Sequence, residues 1–189
     1  HYPLRRQRQM CIRDRYQIQR SLRFNSADSA YLNRTPSVAG NRKTWTWAGW
    51  VKKSNVIGSG SRAGLLAVGP QSSGSFCLAF SNDASGNADG IIFDRSNVTS
   101  SVSTARFRDV SAWYHIVVSV NTTLASNRVK VYANGNQLTD WLSSLDTVWG
   151  QNVDTEVNST SQHRIGQFYQ NAEYLSLIHI SEPTRPRLS

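Results

Sequence analysis

Three aspartates of the sequence are of the type and spacing that could hold a metal ion. Asp83 and Asp89 lie in one polar loop together with Asn82 and Asn87, and Asp94 lies a few residues further on. Carboxylate and carbonyl oxygens are the ligands that Ca²⁺ prefers, so this stretch is a candidate calcium site. The alternative is a solvated turn with no ion, because Asp, Asn and Gly dominate ordinary turns as well.

Two tryptophans are candidates for contact with a sugar. Trp141 and Trp149 flank or lie within a polar stretch, residues 143–162, that shows little periodicity. An exposed indole can stack its face on a sugar ring while its N–H keeps a hydrogen bond. The sequence therefore predicts glycan binding at Trp141 and Trp149, and the alternative is that both rings cap one end of the fold.

The sequence predicts no catalytic residue. Glycan hydrolysis needs two carboxylates about 5–9 Å apart, and Glu156 and Glu173 do not form the Glu-x-Asp-x-x-Glu strand motif. His115 and His163 have no Cys or acidic partner at a familiar metal spacing, and Cys77 alternates with apolar neighbours like a small buried hydrophobe. We therefore expect a protein that is not an enzyme and has no cofactor, Ca²⁺ being the single candidate ion.

The two ends of the chain differ in character from the middle. Met10–Arg15 can be encoded by a DNA string whose reverse complement, read in frame, gives Leu175–Ile180. We interpret residues 1–15 and 175–189 as translated sequencing-adapter sequence and exclude them from fold reasoning; a true basic arm at each end is the alternative. More than half of the formal net charge of +9 lies in these ends, so the charge does not indicate a nucleic-acid partner.

Composition favours one folded domain over residues 16–174. The chain has 189 residues, 39% of them hydrophobic, which is enough for a substantial core. The apolar runs in the middle of the chain, such as Phe76–Phe80 and Ile116–Val118, are far too short for a membrane span, and no signal peptide is visible at the start.

Short β-rich runs separated by turn clusters predict the positions of the strands. The pattern is typical of an all-β sandwich or barrel. The clearest stretch begins at Trp113, where a period of two places Tyr114, Ile116, Val118 and Val120 on one face, which we expect to be core. In the first long strand, Trp45, Trp47 and Val51 share a face and Trp50 points to the other, and we expect all three tryptophans to be covered. Asn134-Gly135 predicts a type I′ hairpin.

Several of these segments resemble a laminin-G-like, concanavalin-A-like jelly-roll domain. The resemblance lies in Ser21–Phe24 with Tyr31-Leu32, in Trp45–Lys52, in Phe107–Val118, in Arg128–Gly135 and in His163–Gly166. The segment from Asp109 to Val118 looks most like domains of phage and metagenomic virion proteins. The resemblance implies an all-β fold of two antiparallel sheets, a β-sandwich of jelly-roll type.

The resemblance also implies a closing strand, which the sequence replaces. After Tyr174 the adapter-like segment begins where the family has a final apolar strand, so we expect a domain truncated at its C-terminus with an exposed sheet edge. Leu177–Ile180 is apolar, and we hypothesise that it fills the empty position.

The expected function is a non-catalytic binding or structural module of a larger phage tail or fibre protein, located in a virion or outside cells. Its partners would be cell-surface glycans and other virion subunits, with no nucleic acid and no membrane span. A secreted carbohydrate-binding or adhesion module of cellular origin is the alternative, and a glycan hydrolase is the third. All three depend on analogy of fold, which says little about function by itself.

Overall fold

The computed structural model describes residues 22–53, 62–70, 74–81, 89–95, 99–168, 173–174 and 178–181. Within these residues the secondary structure is almost entirely β, with two short 3₁₀ turns at Ser26–Asp28 and Leu145–Thr147. In the described part of the chain, no helix has the length and apolar character needed to cross a membrane.

The described strands form two antiparallel six-stranded sheets and a small two-stranded one. In chain order they are β1 (Leu22–Phe24), β2 (Leu32–Arg34), β3 (Thr44–Lys52), β4 (Arg62–Val68), β5 (Phe76–Ser81), β6 (Gly90–Arg95), β7 (Thr99–Val102), β8 (Tyr114–Asn121), β9 (Val129–Ala133), β10 (Asn136–Gln137), β11 (His163–Ile165), β12 (Gln167–Phe168), β13 (Glu173–Tyr174) and β14 (Ile178–Ser181). Sheet A has the order β1-β14-β3-β8-β9-β10, sheet B has the order β2-β11-β4-β5-β6-β7, and β12 pairs with β13. This is the predicted two-sheet β-sandwich.

The main core lies between the two sheets, as the period-two pattern predicts. Ile116 and Val118 are fully buried and Val120 is almost so, while Tyr114 packs against the same cluster with part of its ring exposed. Val129 and Val131 of β9 face inward beside them. Alternation along a strand gives each sheet one apolar face, and burying those faces drives the two sheets together.

The predicted hairpin joins β9 to β10. Asn134 and Gly135 have φ values of 50° and 84°, and Asn136 pairs with Ala133 across the turn. Both turn residues therefore have the left-handed backbone that a type I′ turn requires.

Sheet B is buried on its outer face as well. Ala67, Cys77, Ala79 and Ile92 form a second apolar cluster with Val102 and Phe168, and the guanidinium of Arg62 lies 4.8 Å from the centre of the Phe168 ring. Cys77 is fully buried there, as expected of a small hydrophobe. The β12 segment passes so close to β4 that a Cβ at Gly64 would overlap the Gln167 carbonyl.

The strand β14 lies within sheet A, between β1 and β3. The backbone of β14 pairs with β3, with Ile180 opposite Val51, and on its other side with β1, with Ile180 opposite Leu22. Residues 178–181 of the adapter-like segment thus lie inside sheet A, and that they replace a missing final strand stays a hypothesis. The proposal that residues 1–15 and 175–189 are adapter-derived rests on the sequence.

Candidate functional site

A groove lies at the side of the sandwich where the chain crosses from one sheet to the other. After β10, at the edge of sheet A, residues 138–142 run to the edge of sheet B and continue it beyond β7. The Thr104 N–H donates to the Asp140 carbonyl at 3.0 Å, and the Leu142 N–H donates to the Val102 carbonyl at 2.9 Å. Ser103 and Trp141 form a β-bridge between these two bonds. Backbone pairing therefore fixes the position of Trp141.

The indole of Trp141 is held from behind and is only partly buried. Its Nε1 donates to the Leu138 carbonyl at 3.0 Å, and its ring meets Phe93 edge-on at 5.8 Å between ring centres. The N–H edge of the indole is hydrogen-bonded and part of the ring packs on Phe93, so the remaining surface of the ring forms part of the wall of the groove.

The groove has a volume of about 370 Å³ and a mixed lining. Its walls combine apolar side chains with amides, hydroxyls and one carboxylate: Asn127, Val129, Gln137, Leu138, Thr139, Trp141, Ser144, Leu145 and Asp146. A smaller depression of about 220 Å³ shares Gln137, Leu138 and Thr139 with it and adds Thr104, Ala105 and Asp140. The lining thus places one aromatic wall beside hydrogen-bonding side chains, and it is more polar than the mostly apolar lining typical of small-molecule pockets.

Asp146 forms a rigid part of this groove. Its carboxylate accepts hydrogen bonds from the backbone N–H groups of Asn127 and Arg128, each at 2.7 Å, and the Nε of Arg128 lies 4.0 Å away. Arg128 also donates to the Trp149 and Asp146 carbonyls. These bonds commit the carboxylate to holding the residues that precede β9.

Trp149, the second predicted sugar contact, belongs to the core instead. It is fully buried, with its ring 4.8 Å from Phe76 and 5.9 Å from Trp45. Its Nε1 donates to Glu156 Oε2 at 2.7 Å, and Glu156 Oε1 accepts from Arg95 Nε at the same distance. A ring with no exposed face cannot stack on a sugar, so the assignment of Trp149 to ligand binding is corrected.

The burial of Trp149 follows from the folding of residues 143–162 over the end of the sandwich. Four apolar side chains spaced irregularly along this polar stretch enter the core: Leu145, Val148, Trp149 and Val157. Because a loop has no fixed period, its pattern of residues does not indicate which side chains point inward. The nearby pair of Trp149 and Glu156 was the one available signal, since a buried indole N–H needs an acceptor.

The predicted calcium ligands lie in different structural settings. Asp89 is fully buried and pairs with Lys53, which is also buried, while Asp94 pairs with Arg62 at 3.1 Å; Asp83 lies outside the described residues. Desolvation lowers the pKa of Lys53, against the opposing effect of Asp89, and burial raises the pKa of Asp94, against that of Arg62. Among the described residues, no three His, Cys, Asp or Glu side chains form a metal-binding group.

Both ring nitrogens of His163 lie within hydrogen-bonding distance of backbone groups. His163 Nε2 accepts from the Asn158 N–H at 2.9 Å, and its Nδ1 lies 2.8 Å from the Ser161 carbonyl. Burial lowers the pKa of His163, outweighing the opposite effect of Ser161, and the bond pattern fits a neutral ring that donates from Nδ1. His163 thus fastens the turn before β11.

Sequence reasoning missed an aromatic surface on the outer face of sheet A. Trp50 lies directly opposite His115 on the neighbouring strand, and their rings stack 4.9 Å apart at an interplanar angle of 27°. Both residues keep part of their surface exposed. The expectation that all three tryptophans of β3 are covered therefore fails for Trp50, and Trp47 is also only partly buried although it packs against the core. The period of two did place Trp50 on the opposite face from Trp45.

Comparisons with known proteins found similar solved structures only. No family model matches the chain, and no curated protein matches it. The carbohydrate-binding module CBM40 of the Ruminococcus gnavus IT-sialidase, bound to α2,3-sialyllactose, is 15% identical with a TM-score of 0.45, covering 73% of this chain and 75% of that one. Domain 4 of AbnA, an extracellular GH43 arabinanase from Geobacillus stearothermophilus, in complex with arabinotriose, is 16% identical with a TM-score of 0.47, covering 75% and 61%.

A phage protein is also among the similar structures. Tailspike protein 2 of an Escherichia coli O157:H7 bacteriophage is 15% identical with a TM-score of 0.45, and the match covers 86% of this chain and 21% of the tailspike. The chain thus spans about a fifth of that protein's length.

Proposed function

We propose that this chain is a non-catalytic glycan-binding module of a larger phage tail or fibre protein, and that Trp141 forms its binding site. The groove beside Trp141 carries the proposal. It places a partly exposed indole, already anchored by its own N–H bond to Leu138, among the side chains of Asn127, Gln137, Thr139 and Ser144.

The chemistry of the groove suits a sugar. The C–H face of a sugar ring packs on an aromatic face, and its hydroxyls exchange hydrogen bonds with amide and hydroxyl side chains. Because the indole is braced by Phe93 and its backbone is paired with sheet B, binding requires little ordering of this residue. A preorganised site loses less entropy when the ligand binds.

A binding role fits this groove better than hydrolysis. Hydrolysis requires an acid and a second carboxylate on opposite sides of the scissile bond. Asp146, the carboxylate in the lining of the larger groove, already accepts two backbone N–H bonds from the residues before β9. Among the described residues that line this groove there is no second carboxylate to work with it, so sugar release from candidate polysaccharides is expected to stay at background.

Assignment to a virion rests on the resemblance of the segment from Asp109 to Val118 to phage and metagenomic virion domains. Neighbouring genes on the source DNA test it. Genes for tail or baseplate proteins beside this one support the proposal, whereas genes for secreted or cell-surface proteins favour an adhesion module of cellular origin and contradict the virion assignment.

A glycan array tests the binding role directly. We expect the protein to bind a defined set of glycans, and to bind the same set in Ca²⁺ and in EDTA, since Lys53 and Arg62 neutralise Asp89 and Asp94. The variant Trp141→Ala should lose that binding, and Leu142→Ala, whose side chain is exposed beside the groove, should keep it. Binding that Trp141→Ala leaves intact would contradict the proposed site.

A further inference from the structure

The outer face of sheet A carries a second surface with the features of a binding site. We call it the outer platform and define it by Trp50, Lys52, His115, Lys130 and Tyr132. Register places Trp50 opposite His115 and Tyr132 opposite Val117, the next outward residue on β8. The aromatic rings therefore lie on three neighbouring strands, β3, β8 and β9.

The size of the outer platform suits an extended ligand. Neighbouring strands are about 4.8 Å apart and residues along a strand about 3.4 Å apart, so the diagonal from Trp50 to Tyr132 spans roughly 12 Å. Ala48, Val117 and Ser119 occupy outward positions around it, and their small side chains leave the aromatic rings as the most prominent groups. A flat surface of this length suits several units of a chain better than one small molecule.

The rings are held in place before any ligand arrives. Trp50 and His115 stack on each other. The backbone N–H of His115 donates to Asn134 Oδ1 at 2.8 Å, and its carbonyl accepts from the Asn134 N–H at the same distance. The Asn134-Gly135 hairpin thus fixes the strand end that carries His115.

The charge on this face has one sign. Among the described residues of β3, β8 and β9, the outward positions include Lys52 and Lys130 and no carboxylate. The acidic group that Lys52 influences is Asp109, outside the sheet, whose pKa is lowered chiefly by hydrogen bonds from Ser111 and to a smaller extent by Lys52. Asp109 is therefore a negative charge held by its own turn outside the sheet, near Lys52, and the sheet face itself carries the two lysines.

We infer that the outer platform binds a carboxylated glycan chain, with its sugar rings on Trp50 and Tyr132 and its carboxylates beside Lys52 and Lys130. The inference rests on the proposed function only in taking a glycan as the ligand class, since the surface is separate from the groove at Trp141. Aromatic rings pack against the apolar side of sugar rings, and the positive charges of the two lysines attract an anionic chain.

The experiment measures binding of oligogalacturonate to the full chain by calorimetry at low and high salt. Its fully methyl-esterified form, which keeps the sugar rings and removes the charge, is the matched ligand, and polyglutamate is the polyanion without sugar. We expect oligogalacturonate to bind, more weakly at high salt because the lysines are exposed to screening, and both comparison ligands to bind at least about tenfold more weakly.

Variants separate the outer platform from the groove. Trp50→Ala should weaken binding about tenfold or more, and Trp141→Ala should leave it unchanged. The double variant Lys52→Gln with Lys130→Gln changes only surface side chains, so it tests the charge without endangering the fold, and it should weaken binding and reduce its salt dependence. Circular dichroism establishes that each variant is folded.

Several results would overturn the inference. If polyglutamate binds as tightly as oligogalacturonate, the surface attracts negative charge and does not recognise sugar. If folded Trp50→Ala binds oligogalacturonate as tightly as the wild type, the aromatic rings are not part of the site. A dimer in solution that Trp50→Ala dissociates would show that a second copy covers this face. If array glycans bind through Trp141 while oligogalacturonate does not bind, this inference fails and the proposed function stands. If oligogalacturonate binds through Trp50 and no array glycan depends on Trp141, the groove is not a binding site and the inference about the outer platform stands.

Discussion

Replacing Trp149 by Phe tests whether this indole is a core residue or a ligand contact. In the wild type its Nε1 donates to Glu156 Oε2 at 2.7 Å, and the ring is fully buried. Phe keeps most of the apolar contact with Trp45 and Phe76 but removes the donor. We expect a folded protein of lower stability with unchanged glycan binding.

The expected loss of stability follows from the hydrogen bond to Glu156 that the substitution removes. A hydrogen bond to a charged group contributes about 1.5–3 kcal/mol to stability. The Arg95 Nε remains 2.7 Å from Glu156 Oε1, so the carboxylate keeps one partner and the loss stays within that range. For a domain of this size, each kcal/mol shifts the melting temperature by about 2–4 °C, which gives a fall of roughly 3–12 °C.

Thermal unfolding followed by circular dichroism measures this fall, with Leu142→Ala as the control. Leu142 is 54% exposed, so its truncation should change stability by no more than about 0.5 kcal/mol. A melting temperature for Trp149→Phe equal to that of Leu142→Ala would refute the burial of Trp149 and its bond to Glu156.

Three further changes probe other parts of the fold. Gly64→Ala should destabilise by about 1–3 kcal/mol in chemical denaturation, because its Cβ would overlap the Gln167 carbonyl, whereas at Gly150 an added Cβ has ordinary room, and Gly150→Ala should be milder. The pKa of His163 is lowered in the folded protein. Its contribution to stability is therefore complete above about pH 6.5 and is lost as the pH falls below that value. The difference in melting temperature between the wild type and His163→Gln should therefore become smaller in acid. Deleting residues 175–189 removes the backbone pairing of β14 with β1 and β3 and should lower the melting temperature.

Each of these expectations can fail on its own. Equal stability of the two glycine variants would argue against the close passage of β12 over β4. A gap for His163→Gln that is constant with pH, or that widens in acid, would show that the ring is not held in its neutral form. A truncated chain as stable as the full one would mean that β14 adds nothing to sheet A.

The parts of the fold that the sequence predicted are those governed by local rules. The period of two from Tyr114 to Val120 identified the inner face of β8 because a half-buried strand must alternate. Asn134-Gly135 identified the hairpin because few residue pairs accept positive φ at both positions. Such signals need no knowledge of distant partners.

The features that were missed depend on contacts between distant segments. In the sequence Asp89 has the pattern of a turn residue. Its pairing with Lys53 depends on the packing of the end of β3, in sheet A, beside the start of β6, in sheet B. Trp50 is one of three closely spaced tryptophans, and nothing local shows that its face of sheet A stays partly exposed. Trp149 lies in the core because an irregular loop folds over the sandwich, and such a loop has no hydrophobic periodicity from which its burial could be predicted.

The central claim is that the groove at Trp141 binds glycan, and calorimetric titration of the strongest array ligand tests it most directly. Truncating a tryptophan at the centre of a binding site costs about 2 kcal/mol or more. Trp141→Ala should therefore bind roughly 30-fold more weakly than the wild type, with Leu142→Ala unchanged. Equal affinity of wild type and folded Trp141→Ala would contradict the claim.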